Sequence, residues 1–320
     1  MHHVLASFLP AIHKISYNIN GIHWQLIKEG FAFVTPGGFL QKVSIVVLNW
    51  NGWKDTAACL SSIRLLRYSN YEVIVVDNAS TDDSVTRIQK AFPEVTVIEA
   101  GNNLGFAGGC NVGTRHGLTR GADFVWLLNN DTTADPVALQ ALVDKANADP
   151  RIGAVGSAIY YMDAPDRTQA WGGGYINFWL GRSRHFLNPV ADDKIEFLTG
   201  ASILISRAAI ESVGLLDENF FMYWEDADFC FRLRKAHWRL AVAGESKIWH
   251  KESSSVGKHS ASMDKYFNAS AASFFRKHAP VPLFSLWVGG SLRLGKRVLH
   301  GDWERTRAVF AGVTQQRTSL

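Results

Sequence analysis

The chain has 320 residues, 47% hydrophobic and 19% charged, which is core material for one large α/β domain or two modest ones and excludes a disordered chain. The formal charge is only +4 but is unevenly placed. From Arg276 to Leu320 eight Lys and Arg stand against Asp302 and Glu304, so a near-neutral body carries a basic tail. Three scattered cysteines, Cys59, Cys110 and Cys230, exclude a disulfide framework and a CxxC zinc site.

No apolar run approaches the roughly 18 residues of a membrane span. "VLASFLPAI" and "VPLFSLWVGG" are about half that length, and the first residues lack the basic start and small-residue cleavage site of a secretory signal. These features predict a cytoplasmic protein, peripheral at most to the inner face of the plasma membrane.

Residues 1–42 form an N-terminal extension without a clean period. Its Asn-Gly and Pro-Gly-Gly signals predict a small hairpin or an irregular segment of unclear role. From Val43 the pattern becomes regular. "VSIVVLNWNG" reads as a buried strand ending in Asn49, Asn51 and Gly52, and "DTAACLSSIRLL" as a helix. "YEVIVVDNAS" is a second strand closed by Asp77 and Asn78. "STDDSVTRIQKAF" is a helix with Val85, Ile88 and Phe92 on one face, and "VTVIEA" is a third strand. "NNLGFAGGCNVG" reads as a flexible Gly/Asn loop leading into a short helix. "DFVWLLNND" is a fourth strand, followed by a helix with Asp135 as cap and Pro136 in its first turn.

Apolar strands alternating with helices predict a parallel sheet covered on both faces over residues 43–160. The second half is less periodic. "ASILISRAAIESVG" suggests a strand and a helix, "EDADFCFRLRKA" a helix, and "RLAVAGESKIWH" a strand ending at His250.

Ligands of open parallel sheets bind beyond the carboxyl ends of the strands. Here three strands end in Asn49/Asn51, Asp77/Asn78 and Asn129/Asn130/Asp131. Each group alone is ordinary turn chemistry; three on one edge point to a ligand. A dinucleotide is disfavoured because "NWNGWK" stands where GxGxxG belongs, which argues against an oxidoreductase, and no Walker loop is present. Nucleic acid is also disfavoured, since no basic stripe crosses this acidic and polar edge. Asp77 is suited to accept from a base N–H, and Asp131 to hold a hard cation such as Mg²⁺.

From about Val43 to Ala279 the chain resembles the inverting glycosyltransferases of family 2, with their nucleotide-diphospho-sugar GT-A fold. The resemblance rests on "SIVVLNWNG", "VIVVDNASTDDS", "NLGFAGGCNVG", "WLLNND", "VGLLDENFFMYWEDADFCFR" and the "WH" at 249–250, and it leans to the bacterial rhamnosyltransferase branch. It implies an α/β fold with a mainly parallel central sheet. Residues 43–160 would be the donor half, 161–280 the acceptor and catalytic half of the same domain, and 281–320 a basic amphipathic tail.

The resemblance also implies roles. Asp77 would meet the nucleotide base, with Asn49, Asn51 and Asn78 in the same pocket. Asn103 and Asn111 would lie near the ribose and diphosphate. Asn129, Asn130 and Asp131 would occupy the family's DxD motif, with an amide in place of its first acid. Asp226 would be the catalytic base beside Glu225, and Asp131 and His250 would serve a Mg²⁺ or Mn²⁺ ion. The implied reaction moves a sugar, L-rhamnose from its dTDP form, onto a glycan or lipid-linked glycan. The alternatives are another donor such as a UDP-hexose, or a sugar-nucleotide-binding protein without catalysis.

Plainer readings stand beside these. "EDAD" also suits a helix N-terminus, Asp228 and Arg232 are spaced for an ion pair, and His250 suits a structural role. Trp171 before Gly172, Gly173 and Gly174 either stacks a sugar or packs beside a bend. The tail, with Leu283, Phe284, Trp287 and Leu292 among its bases, either lies on an anionic membrane or docks on the domain.

Overall fold

The computed structural model describes residues 15–19, 22–27, 30–34, 40–251 and 260–314, with side chains from residue 40 onward. The chain forms two units, residues 1–41 and 42–320. The first contains β1 (Ile15–Ile19), β2 (Ile22–Ile27) and β3 (Gly30–Val34), an antiparallel meander in that order. This is one strand more than the expected hairpin. The Asn20-Gly21 pair falls between β1 and β2, the spacing of a two-residue hairpin connection.

The second unit begins with β4 (Val43–Asn49), α1 (Trp53–Ile63), β5 (Tyr71–Asp77), α2 (Ser84–Ala91), β6 (Thr96–Glu99), α3 (Gly105–Thr119) and β7 (Phe124–Asn129). It continues with β8 (Thr132–Ala134), α4 (Ala138–Asn147), β9 (Ile152–Tyr161), β10 (Ala164–Trp171), β11 (Gly173–Asn177), β12 (Arg182–His185), β13 (Phe197–Leu198), β14 (Ser202–Ser206) and α5 (Arg207–Val213). Then follow α6 (Glu225–Lys235), β15 (Arg239–His250), α7 (Ala261–His278), α8 (Pro282–Leu299) and α9 (Trp303–Thr314).

The main sheet runs β6-β5-β4-β7-β14-β9-β15-β8, with β10 on the side of β9. Its first four strands are parallel, as is the β9–β15 pair. Strand β14 is inserted antiparallel between β7 and β9, and β8 runs antiparallel to β15. The expected parallel core is therefore present, interrupted where the second half of the chain returns. A second sheet, β12-β11-β13, stands apart from the main one.

The stretch expected as a flexible Gly/Asn loop is mostly the fifteen-residue helix α3. Its glycines serve close packing. A Cβ on Gly109, Gly113 or Gly117 would lie 2.3 Å from Leu48, 2.5 Å from Val46 and 2.5 Å from Ser44. Glycine every fourth residue lets one helix face rest directly on the alternate residues of β4. Helix α4 begins at Ala138, later than expected. Asp135 Oδ1 accepts from the Val137 amide and the Asp135 carbonyl from the Ala138 amide, so this residue shapes the turn before the helix.

The core contains a polar chain. Trp126 Nε1 donates to Ser202 Oγ at 2.9 Å, Ser202 meets Ser157 at 2.7 Å, and Ser157 meets Ser246 at 2.8 Å. These bonds satisfy buried hydroxyls across β7, β14, β9 and β15. Trp171 packs against Gly244, where a Cβ would lie 2.5 Å from its ring, so the packed reading of that tryptophan holds. All three cysteines are buried and free.

Candidate active site

The three polar strand ends come together as expected. Asn49 stands opposite Asp77 in the β4–β5 register, and Leu48 stands opposite Asn129 in the β4–β7 register. The side chains then divide into two sets.

One set is spent on the protein itself. Asn49 is fully buried; its Nδ2 donates to Asp77 Oδ1 at 2.8 Å and to Ser80 Oγ at 3.1 Å, while its Oδ1 accepts from Thr56 Oγ1 at 2.7 Å. Asp77 also accepts from the Ser80 amide at 2.9 Å and its hydroxyl at 2.6 Å. Asn51, at a φ of 49°, accepts from the Thr81 amide at 2.7 Å. These bonds lock the loops after β4 and β5 together. Asn111 departs furthest from expectation. It lies on α3, donates to the Leu216 carbonyl and Glu218 Oε1, both at 2.9 Å, and accepts from the Leu216 amide. Asn49, Asn51, Asp77 and Asn111 are thus absent from the cavity wall.

The other set lines a cavity of about 670 Å³: Asn78, Asn103, Asn129, Asn130, Asp131, Glu225, Asp226 and His250. Asn78 Nδ2 donates to Asn103 Oδ1 at 3.0 Å and to the Gly105 carbonyl at 3.1 Å. Gly105, with φ +72°, is required here, because a Cβ would meet the Phe221 carbonyl at 2.2 Å.

Asp131 is buried just past β7, and its Oδ1 lies 3.2 Å from Nε2 of His250, the last residue of β15. His250 Nδ1 faces Gln169 Oε1 at 2.8 Å, so the proton of a neutral ring sits on Nδ1 and leaves the Nε2 lone pair facing the carboxylate. Nε2 also lies 3.5 Å from Asn129 Nδ2, so carboxylate, imidazole and amide meet at one point of the cavity wall. Asn129 Oδ1 is buried beside them and accepts no hydrogen bond among the described residues. One carboxylate, one imidazole and one amide oxygen suit a divalent ion that takes its other ligands from phosphate and water. No group of three or more His, Cys, Asp or Glu able to hold a metal ion is assembled among the described residues, so the amide oxygen of Asn129 is the third candidate ligand here.

Asp226 opens α6. Its Oδ2 accepts from the Gly200 amide at 2.9 Å and its Oδ1 from the Ala227 amide at 2.7 Å. Burial pushes its carboxyl above the ordinary value, opposed by those two amides and by His185. Glu225 is more deeply buried, its Oε2 has no hydrogen bond among the described residues, and burial with the neighbouring Asp226 charge pushes it well up. Two amides face the Asp226 carboxyl and favour its charged form, whereas Glu225 Oε2 has no such partner among the described residues. The chain reaches this helix through two consecutive left-handed residues, Tyr223 and Trp224, each with φ of 68°. Strain of this kind persists where the surrounding structure holds it, commonly at functional sites.

Sequence reasoning missed three parts of this site. The Gly200 amide carries no side-chain signal at all. His185, on the cavity wall, stands alone in an Arg-rich stretch, and enclosure lowers its imidazole while the Asp226 charge opposes that. The Tyr223-Trp224 pair did have a signal, two aromatics directly before "EDAD".

The glycosyl transferase family 2 model matches residues 44–214. An N-acetylglucosaminyl-diphospho-decaprenol L-rhamnosyltransferase of Mycobacterium tuberculosis is 29% identical over 241 residues, covering 68% of this chain and 78% of that protein. The low-salt glycan biosynthesis hexosyltransferase Agl10 of Haloferax volcanii is 28% identical over 204 residues, 61% of this chain and 62% of that one. Among solved structures, the mannosyltransferase PcManGT of Pyrobaculum calidifontis, in complex with GDP-Man and Mn²⁺, superposes with a TM-score of 0.58 at 17% identity over 86% of each chain. GalNAc-T7 with UDP, GalNAc and Mn²⁺ superposes with a TM-score of 0.63 at 12% identity, over 87% of this chain and 55% of that one. The fold is GT-A, and the chain belongs to glycosyl transferase family 2 and is a glycosyltransferase.

Proposed function

We propose that this enzyme transfers L-rhamnose from dTDP-L-rhamnose, with inversion, onto a lipid-linked glycan at the inner face of the plasma membrane. The observation that carries the reaction is one cavity shared by Asp226 and by the Asn129, Asp131 and His250 cluster. The sugar and the lipid-linked acceptor are supported by the mycobacterial relative, whose name states both L-rhamnosyl transfer and a diphospho-decaprenol acceptor.

In this reading Asp226 takes the proton of the acceptor hydroxyl as its oxygen bonds to the anomeric carbon. The bond from that carbon to the diphosphate breaks, and the nucleoside diphosphate departs. The Gly200 and Ala227 amides orient the carboxylate, and its raised pKa makes it a stronger base. A Mg²⁺ or Mn²⁺ ion held by Asp131, His250 and Asn129 would neutralise charge developing on the diphosphate. Asn78, Asn103 and Asn130 line the donor side, while Asn49 and Asp77 shape that wall from behind. Residues 43–160 then serve as donor half and 161–280 as acceptor half of one domain.

The test is nucleoside-diphosphate release from a panel of dTDP-, UDP- and GDP-sugars with Mg²⁺, Mn²⁺ or EDTA, with and without a polyprenyl-diphospho-sugar acceptor. Metal-dependent release from dTDP-rhamnose alone is the expected result. Release from a UDP-hexose would keep the chemistry and replace the donor, and release undiminished by EDTA would overturn the metal.

A further inference from the structure

The tail expected to be a stretch of mixed bases and apolar residues is sorted by the fold. Arg297 forms a bidentate pair with Asp264 at 2.9 Å, Arg305 joins the same carboxylate at 2.7 Å, and Arg293 donates to Asn268 Oδ1 and the Gly181 carbonyl. These three guanidinium groups point inward and fasten α8 and α9 to α7. What faces outward on α8 is apolar: Leu283 is 81% exposed, Trp287 71% and Leu299 87%, with Phe284, Leu292 and Val298 also exposed. The helix contains no acid, and Lys296 at its edge is exposed. No helix among the described residues is long and apolar enough to cross a membrane.

A second element joins this face. Trp179, 69% exposed in the turn between β11 and β12, meets Phe284 edge-on at 5.6 Å. The same turn is seated on α8 without a gap. A Cβ on Gly181 would lie 2.2 Å from the Ser285 carbonyl, and Arg293 Nη1 donates to the Gly181 carbonyl at 2.8 Å. From Gly181, β12 leads to Ser183 and His185 in the cavity wall, a span of roughly 13 Å for four extended residues.

We propose that the outward face of α8, together with Trp179, lies on an anionic lipid bilayer and seats the acceptor wall of the cavity against it. Large exposed apolar patches are uncommon on proteins without a partner, and tryptophan favours the boundary between hydrocarbon and water. The charge on this helix, exposed Lys296 with no acid beside it, favours anionic headgroups over a second copy of this chain, which would bring two such lysines together. This surface deepens the reading of a lipid-linked acceptor and rests on it: a polyprenyl acceptor would rise from the bilayer beside β12.

The experiment is co-sedimentation of the full chain with vesicles of phosphatidylcholine alone, or of equal parts phosphatidylcholine and phosphatidylglycerol. It compares wild type with Leu283→Glu/Trp287→Glu and with Trp179→Ala. Solution mass and metal-dependent nucleoside-diphosphate release are measured on the same samples without vesicles. Wild type is expected to bind the anionic vesicles at least tenfold more strongly than the neutral ones. The double substitution is expected to lose at least tenfold of that binding and Trp179→Ala a smaller part, with mass, melting temperature and nucleotide release unchanged. Wild type that stays in the supernatant, binding that survives the double substitution, or a wild-type dimer that the double substitution dissociates would each overturn the surface. Nucleotide release separates this from the catalytic reading: an active chain that ignores vesicles sinks the surface alone, and an inactive chain that binds them sinks the transferase mechanism alone.

Discussion

Asp228 Oδ1 accepts a hydrogen bond from His278 Nε2 at 2.8 Å, tying α6, the helix that carries Asp226, to the end of α7. Both side chains are fully or almost fully buried, and the same carboxylate also meets Lys277 at 2.8 Å and Arg232 at 2.8 Å. The expected Asp228–Arg232 pair is therefore one edge of a larger cluster. Burial raises the Asp228 carboxyl, but the bonds from His278, Lys277 and Arg232 outweigh it and hold the group at about 2. Because the folded value lies below the unfolded one, the stabilisation is complete above about pH 4 and is lost as pH falls toward 2. Denaturant titrations between pH 5 and pH 2 should show stability falling in that window. Asp228→Ala, which removes the buried partner shared by His278, Lys277 and Arg232, should cost about 3–5 kcal/mol at neutral pH and flatten the acid dependence.

Replacing Asp226 by Asn keeps the Gly200 contact side but removes the base. Turnover should fall on the order of 10²–10⁴-fold while donor affinity, measured by calorimetry, stays within about twofold. Since burial raises the wild-type carboxyl, the acid limb of kcat/KM should have its midpoint above the ordinary carboxylate value of about 4, with activity lost as pH falls through it. A midpoint below 4, or an Asn variant with full turnover, would remove Asp226 from this role.

The proposed metal site makes its own demand on Gln169, which lies 2.8 Å from His250. Its Oε1 faces His250 Nδ1 and so sets which ring nitrogen is free. Gln169→Leu should weaken Mn²⁺ binding about 10–100-fold, read by paramagnetic resonance of free Mn²⁺ in the presence of nucleoside diphosphate. Asp131→Ala should abolish it, and unchanged binding in both would place the ion elsewhere.

The glycine face of α3 is testable by stability alone. Gly113→Ala would put a methyl 2.5 Å from Val46 and 3.0 Å from Val76, and should destabilise by about 1–3 kcal/mol. Gly295→Ala, in α8 with nothing within 4 Å, should instead stabilise by about 0.5–1 kcal/mol. Thermal melts of the two variants therefore move in opposite directions.

The sequence alone determined the order of β4, α1, β5, α2, β6, β7 and α4, because apolar β-branched runs and helical spacing are local signals that tertiary packing here reinforces, whereas β8 and the length of α3 came only with the structure. It also brought Asn129, Asp131 and His250 forward, since polar residues ending apolar strands have no packing reason to be there, while Asp226 came forward only through the family resemblance. Only the tertiary structure decided which polar ends face the cavity. Asn49 and Asp77 look no different in sequence from Asn129 and Asp131, yet the first pair satisfies itself and Ser80 while the second leaves Asn129 Oδ1 without a hydrogen bond among the described residues. The same holds for the tail. A helix shows its composition in sequence, but the side on which it docks depends on Asp264, Asn268 and Gly181, residues 25 to 112 positions from the arginines that meet them. Hydrogen-bond partners and burial are set by neighbours in space, and a linear pattern carries no record of them.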